Sequence, residues 1–419
     1  MKLLKKYWVF VFILIVTVGM YLRFFKIESF QEFGWDQARD AWKTRDVIMG
    51  KLVLNGPRTG IGHMELGPLW YYLLAPFYYL TRLDPTAANY LNFFVNIFNF
   101  IAIFWVTKKI FNKNAALFVS LFYAIDEYLI QINRVAWNVS PVPGVTIILF
   151  YAIYKVVYEA KYKWIFLVSF LTGLFFHLHF SFVFLPLIVL FSFVLVKDRV
   201  KTIFYSLASL PLIFIWFIPT FLYELQSKNS NLNSLTNFFK DYLIKGFHLR
   251  FFLYRLYDSF IQFQTVLSLP KISRYLVLIV PIVYILFLMF EKDKKQKILG
   301  YLMMLWFIIP SFVYSFYGGT TSEYYMLMTA VFVIYIVWYF FMKIINLKIK
   351  PLVYLLIFLS IAFIYFQTKS EWVKEEKGYS LKYQKLFVKN RIKESNKINF
   401  NEGDIKAYLW QIWVEDKRP

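Results

Sequence analysis

Long apolar runs recur along this chain, separated by short clusters of lysine and arginine, and that pattern leaves few folds open. Inside a bilayer every backbone N–H and C=O must be paired within the protein, which runs of this length achieve as helices. Of 419 residues, 59% are hydrophobic and 22% aromatic, and the mean hydropathy is +0.52, far outside the balance of a soluble domain. A formal charge of +22 would suggest nucleic acid in a soluble chain. Here the bases lie between apolar runs, where they set membrane orientation, so membrane lipids and not nucleic acid are the expected surroundings. With no cysteine in the chain, disulfides, thiolate metal sites and cysteine nucleophiles are excluded. The opening MKLLKKYWVFVFILIVTVGMYLRFF has a basic start, a long apolar run and no small-x-small cleavage pattern, and reads as a retained signal anchor.

Cytoplasmic loops are the basic ones, so a correct set of spans places Lys/Arg clusters on alternate loops. Lys2, Lys5 and Lys6 put the N-terminus inside, and a first helix from about Tyr7 to Phe25 delivers the next loop outside. Were 67–82 a second span, the cluster Lys108, Lys109 and Lys113 would fall outside. As a helix that segment would also measure only about 24 Å, against a hydrocarbon core of about 30 Å. Leu69 to Leu80 is therefore expected to lie in the outer interface as a Tyr- and Trp-rich helix, and Asn89 to Val106 to be the true second span. The remaining clusters then alternate. The expected fold is an all-α polytopic membrane protein with about eleven transmembrane helices, N-terminus in and C-terminus out, in the cytoplasmic membrane. A membrane domain over 1–366 would carry a large first outer loop (26–86) and a long outer loop (224–274), followed by a polar extracytoplasmic tail (367–419).

Charge first interrupts the apolar pattern in 34–80, and polar groups next to a membrane are functional candidates. Asp36 precedes a short surface helix whose apolar positions are Ala38, Ala41, Trp42, Val47 and Ile48. It can be a catalytic carboxylate, the helix N-cap, or both. The breaker-rich NGPRTGIGHMELGP describes a loop. In it, Arg58, His63 and Glu65 approach the interfacial helix, and Glu65 is either a second carboxylate or a favourable charge near a helix N-terminus. Asp126 and Glu127 stand about 18 Å up the third span (Ala115 to about Ile132), with Arg134 and Asn138 just beyond. Arg134 either pairs with these acids or receives the anionic end of a lipid-linked substrate. His177 and His179 would point about 200° apart on a continuous helix, poor geometry for one metal, so they read as interfacial or substrate-lining groups. Arg250, among bases and aromatics of the long outer loop, and Tyr324, in the SEYYML turn, complete the candidates on the same face.

The stretches WDQARDAW, GPRTGIG, GPLWYYLLAPF, NRVAWNVSPVP and LFFHLHFSFVFLPL, in this order, resemble the polyprenyl-phosphate-sugar-dependent glycosyltransferases of the protein O-mannosyltransferase-like clan, in the glycosyltransferase C superfamily. The resemblance covers about the first half of the chain and extends weakly to IPTFLYELQ and SEYYML. It implies a first outer loop bearing a catalytic carboxylate, commonly in an Asp-Glu pair; Asp36 matches the Asp, and Gln37 occupies the second position. Glu65, in HMELGPL, resembles a second acidic residue of the lipid A aminoarabinose transferase branch. The same branch has an acidic residue in the turn after the third span, where this chain has Asn138, and nothing is carried over there. The implied activity is an inverting sugar transfer from a polyprenyl phosphate to an acceptor hydroxyl on a glycan, lipid or protein, at the extracytoplasmic face. No cofactor is fixed, and a divalent metal requirement is left open. A lipid or sugar-lipid transporter would share the spans and belts but would place ionisable groups near the midplane in both halves of the chain. A donor-binding relative without activity is the third reading, kept alive by Gln37.

Overall fold

The structure, a computed structural model, describes residues 2–31, 33–60, 64–227, 230–238, 240, 248–266, 274–316, 322–346, 380–393 and 408–409. His63, the 317–321 turn and most of the tail lie outside these residues. The described residues are helical, apart from turns and one isolated antiparallel bridge between Arg58 and Glu65.

In chain order, α1 (Lys2–Phe24) leads through the one-turn α2 (Ile27–Phe30) to α3 (Trp35–Ile48) and α4 (Leu69–Leu80). Next come α5 (Ala87–Ile110), α6 (Lys113–Ile125), α7 (Glu127–Arg134), α8 (Val142–Val157) and α9 (Trp164–Leu178). Beyond a 3-10 turn are α10 (Leu185–Phe193), α11 (Arg199–Phe214), α12 (Ile218–Gln226) and α13 (Ser230–Phe238). The remainder is α14 (Leu249–Val266), α15 (Arg274–Met289), α16 (Lys294–Ser315), α17 (Ala330–Asn346) and, from the tail, α18 (Leu381–Lys393).

Among the described residues, five helical stretches are long and apolar enough to cross a membrane, Tyr7–Phe24, Ala87–Ile110, Arg199–Gln226, Lys294–Ser315 and Glu323–Ile345, and six with the bent pair Lys113–Ile125 and Glu127–Arg134 taken as one span. The protein is thus multi-pass. These are fewer than the eleven or so spans expected, because α8 and α9 are only 16 and 15 residues long and residues 347–366 are not described. The expected third span is also not continuous: α6 and α7 meet at Asp126 with a bend of 65°. Local chemistry makes the break. Asp126 has extended backbone and caps α7 by accepting from Leu129 N–H at 2.9 Å. Arg23, fully buried at the end of α1, donates to the carbonyls of Tyr123 (2.7 Å) and Ala124 (2.9 Å) at the end of α6. It thereby satisfies groups that a continuing helix would have used.

A second feature fixes this region. Asn92, Asn96 and Asn99, one face of α5, are fully buried. Asn92 and Asn96 donate to the Asn133 carbonyl (2.8 and 3.2 Å), while Asn99 donates to Ser140 C=O (2.9 Å) and accepts from Gly144 N–H (3.0 Å). The irregular backbone between α7 and α8 is held inside the helix bundle by this ladder. Asn99→Leu keeps the volume but strands both backbone groups, and is expected to cost about 2–4 kcal/mol, read as a lower thermal midpoint in detergent.

The interior divides into two clusters. The larger one gathers α5, α6, α8, α16 and α17. In Arg199–Gln226 only 11% of the apolar window is buried, against 72% in Lys294–Ser315, so α11 and α12 present themselves to lipid and α16 is central. The smaller cluster packs α3 on α4 and the start of α5, with Leu381, Val388, Tyr408 and Leu409 of the tail buried in it. Lys385 of α18 reaches Glu28 (3.2 Å) and Asp84 (2.8 Å), and the Tyr408 hydroxyl donates to Leu83 C=O at 3.0 Å. As expected, α4 is a helix of 12 residues, too short to cross. It buries Trp70, Tyr71, Leu74 and Tyr78.

Candidate active site

The turns assigned to one side of the membrane converge. The start of α3, residues 57–60 of the first loop, the turn between α7 and α8, the end of α9 and the turn before α17 line one open cleft of about 50 Å³. At the other end of α17, a second cleft gathers Ile110–Asn112, Glu291–Gln296 and Trp338–Lys343. The basic clusters around these segments, Lys108 to Lys113, Lys292 to Lys297 and the one that begins at Lys343, are those the alternation of charged loops assigns to the cytoplasmic side.

Asp36, Arg58, Asn138, His179 and Tyr324 all line the first cleft. Asp36 is in the first turn of α3 and its side chain is 51% exposed. It is not the N-cap: Gly34 holds that position, and Gly34 N–H donates to the Gln37 side-chain oxygen at 3.0 Å. The cap therefore falls to Gln37, reaching back from the third helical position as a capping box does, and Asp36 is left to face the cleft. Gln37 thus has a structural reason to be an amide. Asp36 is tethered by Arg39, whose Nη1 lies 2.6 Å from Oδ1.

The loop after α3 folds back on itself. Gly50, with φ of +80°, ends the helix region as glycine commonly does. Gly56 N–H then donates to Leu66 C=O (2.7 Å) and Leu66 N–H to Pro57 C=O (3.0 Å), which brings Arg58 to the cleft rim. Glu65 stands across the bridge from Arg58. Its carboxylate accepts from Asn55 (3.0 Å), its N–H and C=O are held by Asn231, and it is not part of the cleft lining. Gly67 closes the loop where there is no space for more: an added Cβ would sit 2.1 Å from Nδ1 of His177. That ring accepts from Leu69 N–H (3.2 Å) and donates to Trp216 C=O (2.7 Å), tying α4 to α9 and to the 3-10 turn between α11 and α12.

The far wall is aromatic. Tyr324 and Tyr325 stack at 4.6 Å, Trp137 lies 4.9 Å from Tyr324, and His179 lies 5.3 Å from Tyr325. Helix α9 ends at Leu178, so His177 and His179 are not on one continuous helix; His179 has extended backbone. Its Nδ1 accepts from Ser181 N–H at 3.1 Å, which puts the ring proton on Nε2, a buried atom with no hydrogen-bond partner among the described residues. Burial lowers its pKa to about 3, so His179 offers the cleft a neutral N–H and no base at physiological pH. Asn138 braces this wall by donating to Leu178 C=O at 2.6 Å.

The other candidates serve elsewhere. Asp126 is the α7 cap, Arg134 is buried with Nη2 on Leu22 C=O (2.7 Å) and its guanidinium over Phe30, and Arg250 is at the start of α14. None of these lines the cleft. Among the described residues no three of His, Asp or Glu come together as a metal-holding group. Sequence reasoning passed over Arg39 and Asp40, although their spacing of three and four from Asp36 places all three on one face. It also passed over the asparagines of α5, whose spacing was legible.

This arrangement belongs to a known architecture: the chain shares its fold with solved structures. It resembles ArnT from Cupriavidus metallidurans bound to undecaprenyl phosphate, with a TM-score of 0.52 at 13% identity over 77% of this chain and 58% of that one. It is similar to ArnT in the apo state at 0.52 and 14% identity, over the same shares. With the Archaeoglobus fulgidus oligosaccharyltransferase in the apo form the TM-score is 0.58 at 12% identity, over 97% of this chain and 60% of that one. The chain thus spans less than two thirds of each neighbour's length. No protein-family model and no curated protein matches the sequence.

Proposed function

We propose that the chain is a membrane glycosyltransferase that moves a sugar from a polyprenyl-phosphate donor to an acceptor hydroxyl at the extracytoplasmic face. The observation that carries this reading is Asp36: an exposed carboxylate, freed from capping duty, at a cleft with an arginine on one rim and an aromatic wall opposite. The fold shared with an ArnT bound to undecaprenyl phosphate supports the choice of donor class.

In the proposed reaction the acceptor oxygen attacks the anomeric carbon on the face opposite the phosphate. The C–O bond to the acceptor forms as the bond to the phosphate oxygen breaks, inverting the centre. Asp36 takes the acceptor proton, and the lipid phosphate leaves with the bonding pair. Because phosphate is a good leaving group, the site needs charge neutralisation more than an acid, and Arg58 is the base at the rim that supplies it. Aromatic faces suit the C–H faces of a sugar ring, and His179 Nε2–H can donate to one of its oxygens. His179→Phe removes that donor and is expected to lower transfer about tenfold, whereas His179→Gln, which keeps an N–H, retains most of it.

The test is purified protein with a radiolabelled polyprenyl-phosphate sugar and a membrane extract as acceptor source. Labelled product supports the reading, and chelation followed by re-addition of magnesium or manganese reads the metal requirement. A donor that is bound but never consumed, or carried across vesicles unchanged, would overturn it in favour of a binding protein or a transporter.

A further inference from the structure

We infer that Asp40 is the positioning residue of this site: it holds Arg39 from behind, and so decides how much positive charge Arg39 places on Asp36 and on an anionic ligand. The inference rests on the reading of Asp36 given above.

Three residues of α3 form one chain of contacts. Arg39 Nη1 meets Asp36 Oδ1 at 2.6 Å, while its Nε and Nη2 meet Asp40 Oδ1 at 3.1 and 2.8 Å. The exposures run in sequence, from Asp36 at 51% through Arg39 at 20% to Asp40 at 3%. One guanidinium therefore serves a carboxylate in the cleft and another inside the protein, and the trio carries a net charge of about −1 when all are ionised.

Asp40 is expensive where it is. Its second oxygen, Oδ2, is buried against α4, and besides Arg39 only the buried Trp70 indole N–H favours its charge among the described residues. An apolar residue or an amide would be easier to bury. A charge retained at that cost, one contact removed from the cleft carboxylate, is what a tuning role requires.

The groups facing Asp40 are Arg39 and Asp36 on its own helix, and Trp70, Tyr71 and, further along, Tyr78 on α4. Burial raises the Asp40 pKa to about 6, against the pull of Arg39 in the other direction. While Asp40 is charged, Arg39 is shared and Asp36 keeps lone-pair charge for a hydroxyl proton. Once Asp40 is protonated, Arg39 belongs to Asp36 and to the cleft alone. Proton abstraction then weakens, and an anion in the cleft is held more tightly. The sign is fixed: the folded pKa lies above the ordinary 3.8, so protons bind Asp40 as pH falls through about 6, and transfer falls with them.

Asp40→Asn imitates the protonated state at every pH. The expected result is kcat lower by about tenfold, undecaprenyl phosphate bound about tenfold more tightly at pH 7.5, and loss of the limb of the pH profile near pH 6. Asp40→Glu restores the limb. A purely structural role would lower the thermal midpoint but leave the pH profile and the phosphate affinity unchanged, and that outcome overturns the proposal. A readout independent of turnover uses the wild-type protein. Difference infrared spectra between about pH 5 and about pH 7.5 should show a protonated carboxyl band that Asp40→Asn removes; its absence from wild type also overturns the proposal. If wild type makes no product at all, the glycosyltransferase reading falls by itself, while the infrared band and the undecaprenyl phosphate affinity still decide the role of Asp40.

Discussion

Asp36→Asn is expected to lower sugar transfer by about a thousandfold while leaving the protein folded and able to bind donor. A positioned base contributes about 10²–10⁴ to a rate, and the amide has the shape of the carboxylate without its affinity for a proton. The variant should fold because Asp36 contributes little to packing: it is half exposed, and the helix start it belongs to is capped by Gly34 and Gln37. Its one ion pair, with Arg39, is duplicated by Asp40. Turnover of labelled donor by wild type and variant, with undecaprenyl phosphate binding as the control for folding, is the measurement. Full activity in the variant would remove Asp36 from the chemistry.

The second large effect is expected at a residue that touches no substrate. Gly67→Val places a branched side chain where even a Cβ would lie 2.1 Å from the His177 ring. The ring cannot give way cheaply, since both its nitrogens are engaged, with Leu69 N–H and Trp216 C=O. The neighbouring Gly56 is crowded as well, an added Cβ there lying 2.1 Å from the Gly67 carbonyl. Overpacking and two lost hydrogen bonds together cost about 3–5 kcal/mol. The loop that delivers Arg58 would shift, so both the thermal midpoint and the transfer rate should fall. Gly67→Ala should lie between Gly67→Val and wild type.

The sequence reached the site through charge alternation and local punctuation. Counting basic loops put Asp36, Asn138, His179 and Tyr324 on one face, and these residues do share a cleft. The short length of 67–82 separated α4 from the spans, and α4 is indeed a short helix packed beside α3. What was not legible depends on partners distant in the chain. Asp40 reads as a solvated member of a surface helix until α4 covers it. The bend at Asp126 needs Arg23, about a hundred residues earlier, to take up the carbonyls that the break releases. Asp36 reads as a candidate cap for α3, but the cap lies two residues earlier at Gly34, whose N–H is taken by the Gln37 side chain reaching back. The tail, rich in lysine and asparagine, gave no hint that Leu381, Val388 and Tyr408 complete a core built by other helices.

That last contact has a consequence for the order in which the protein becomes active. Helix α3 is among the first segments to leave the ribosome, yet Trp42 on it packs edge-on against Tyr408, and the core beneath Asp36 includes Leu409. The membrane helices can be inserted one after another as they are made. The layer that carries the cleft carboxylate cannot finish packing until residue 409 has been synthesised and carried to the same side as α3. A nascent chain stalled between Tyr325 and α18 would therefore hold all the residues of the cleft and still have an unfinished active site.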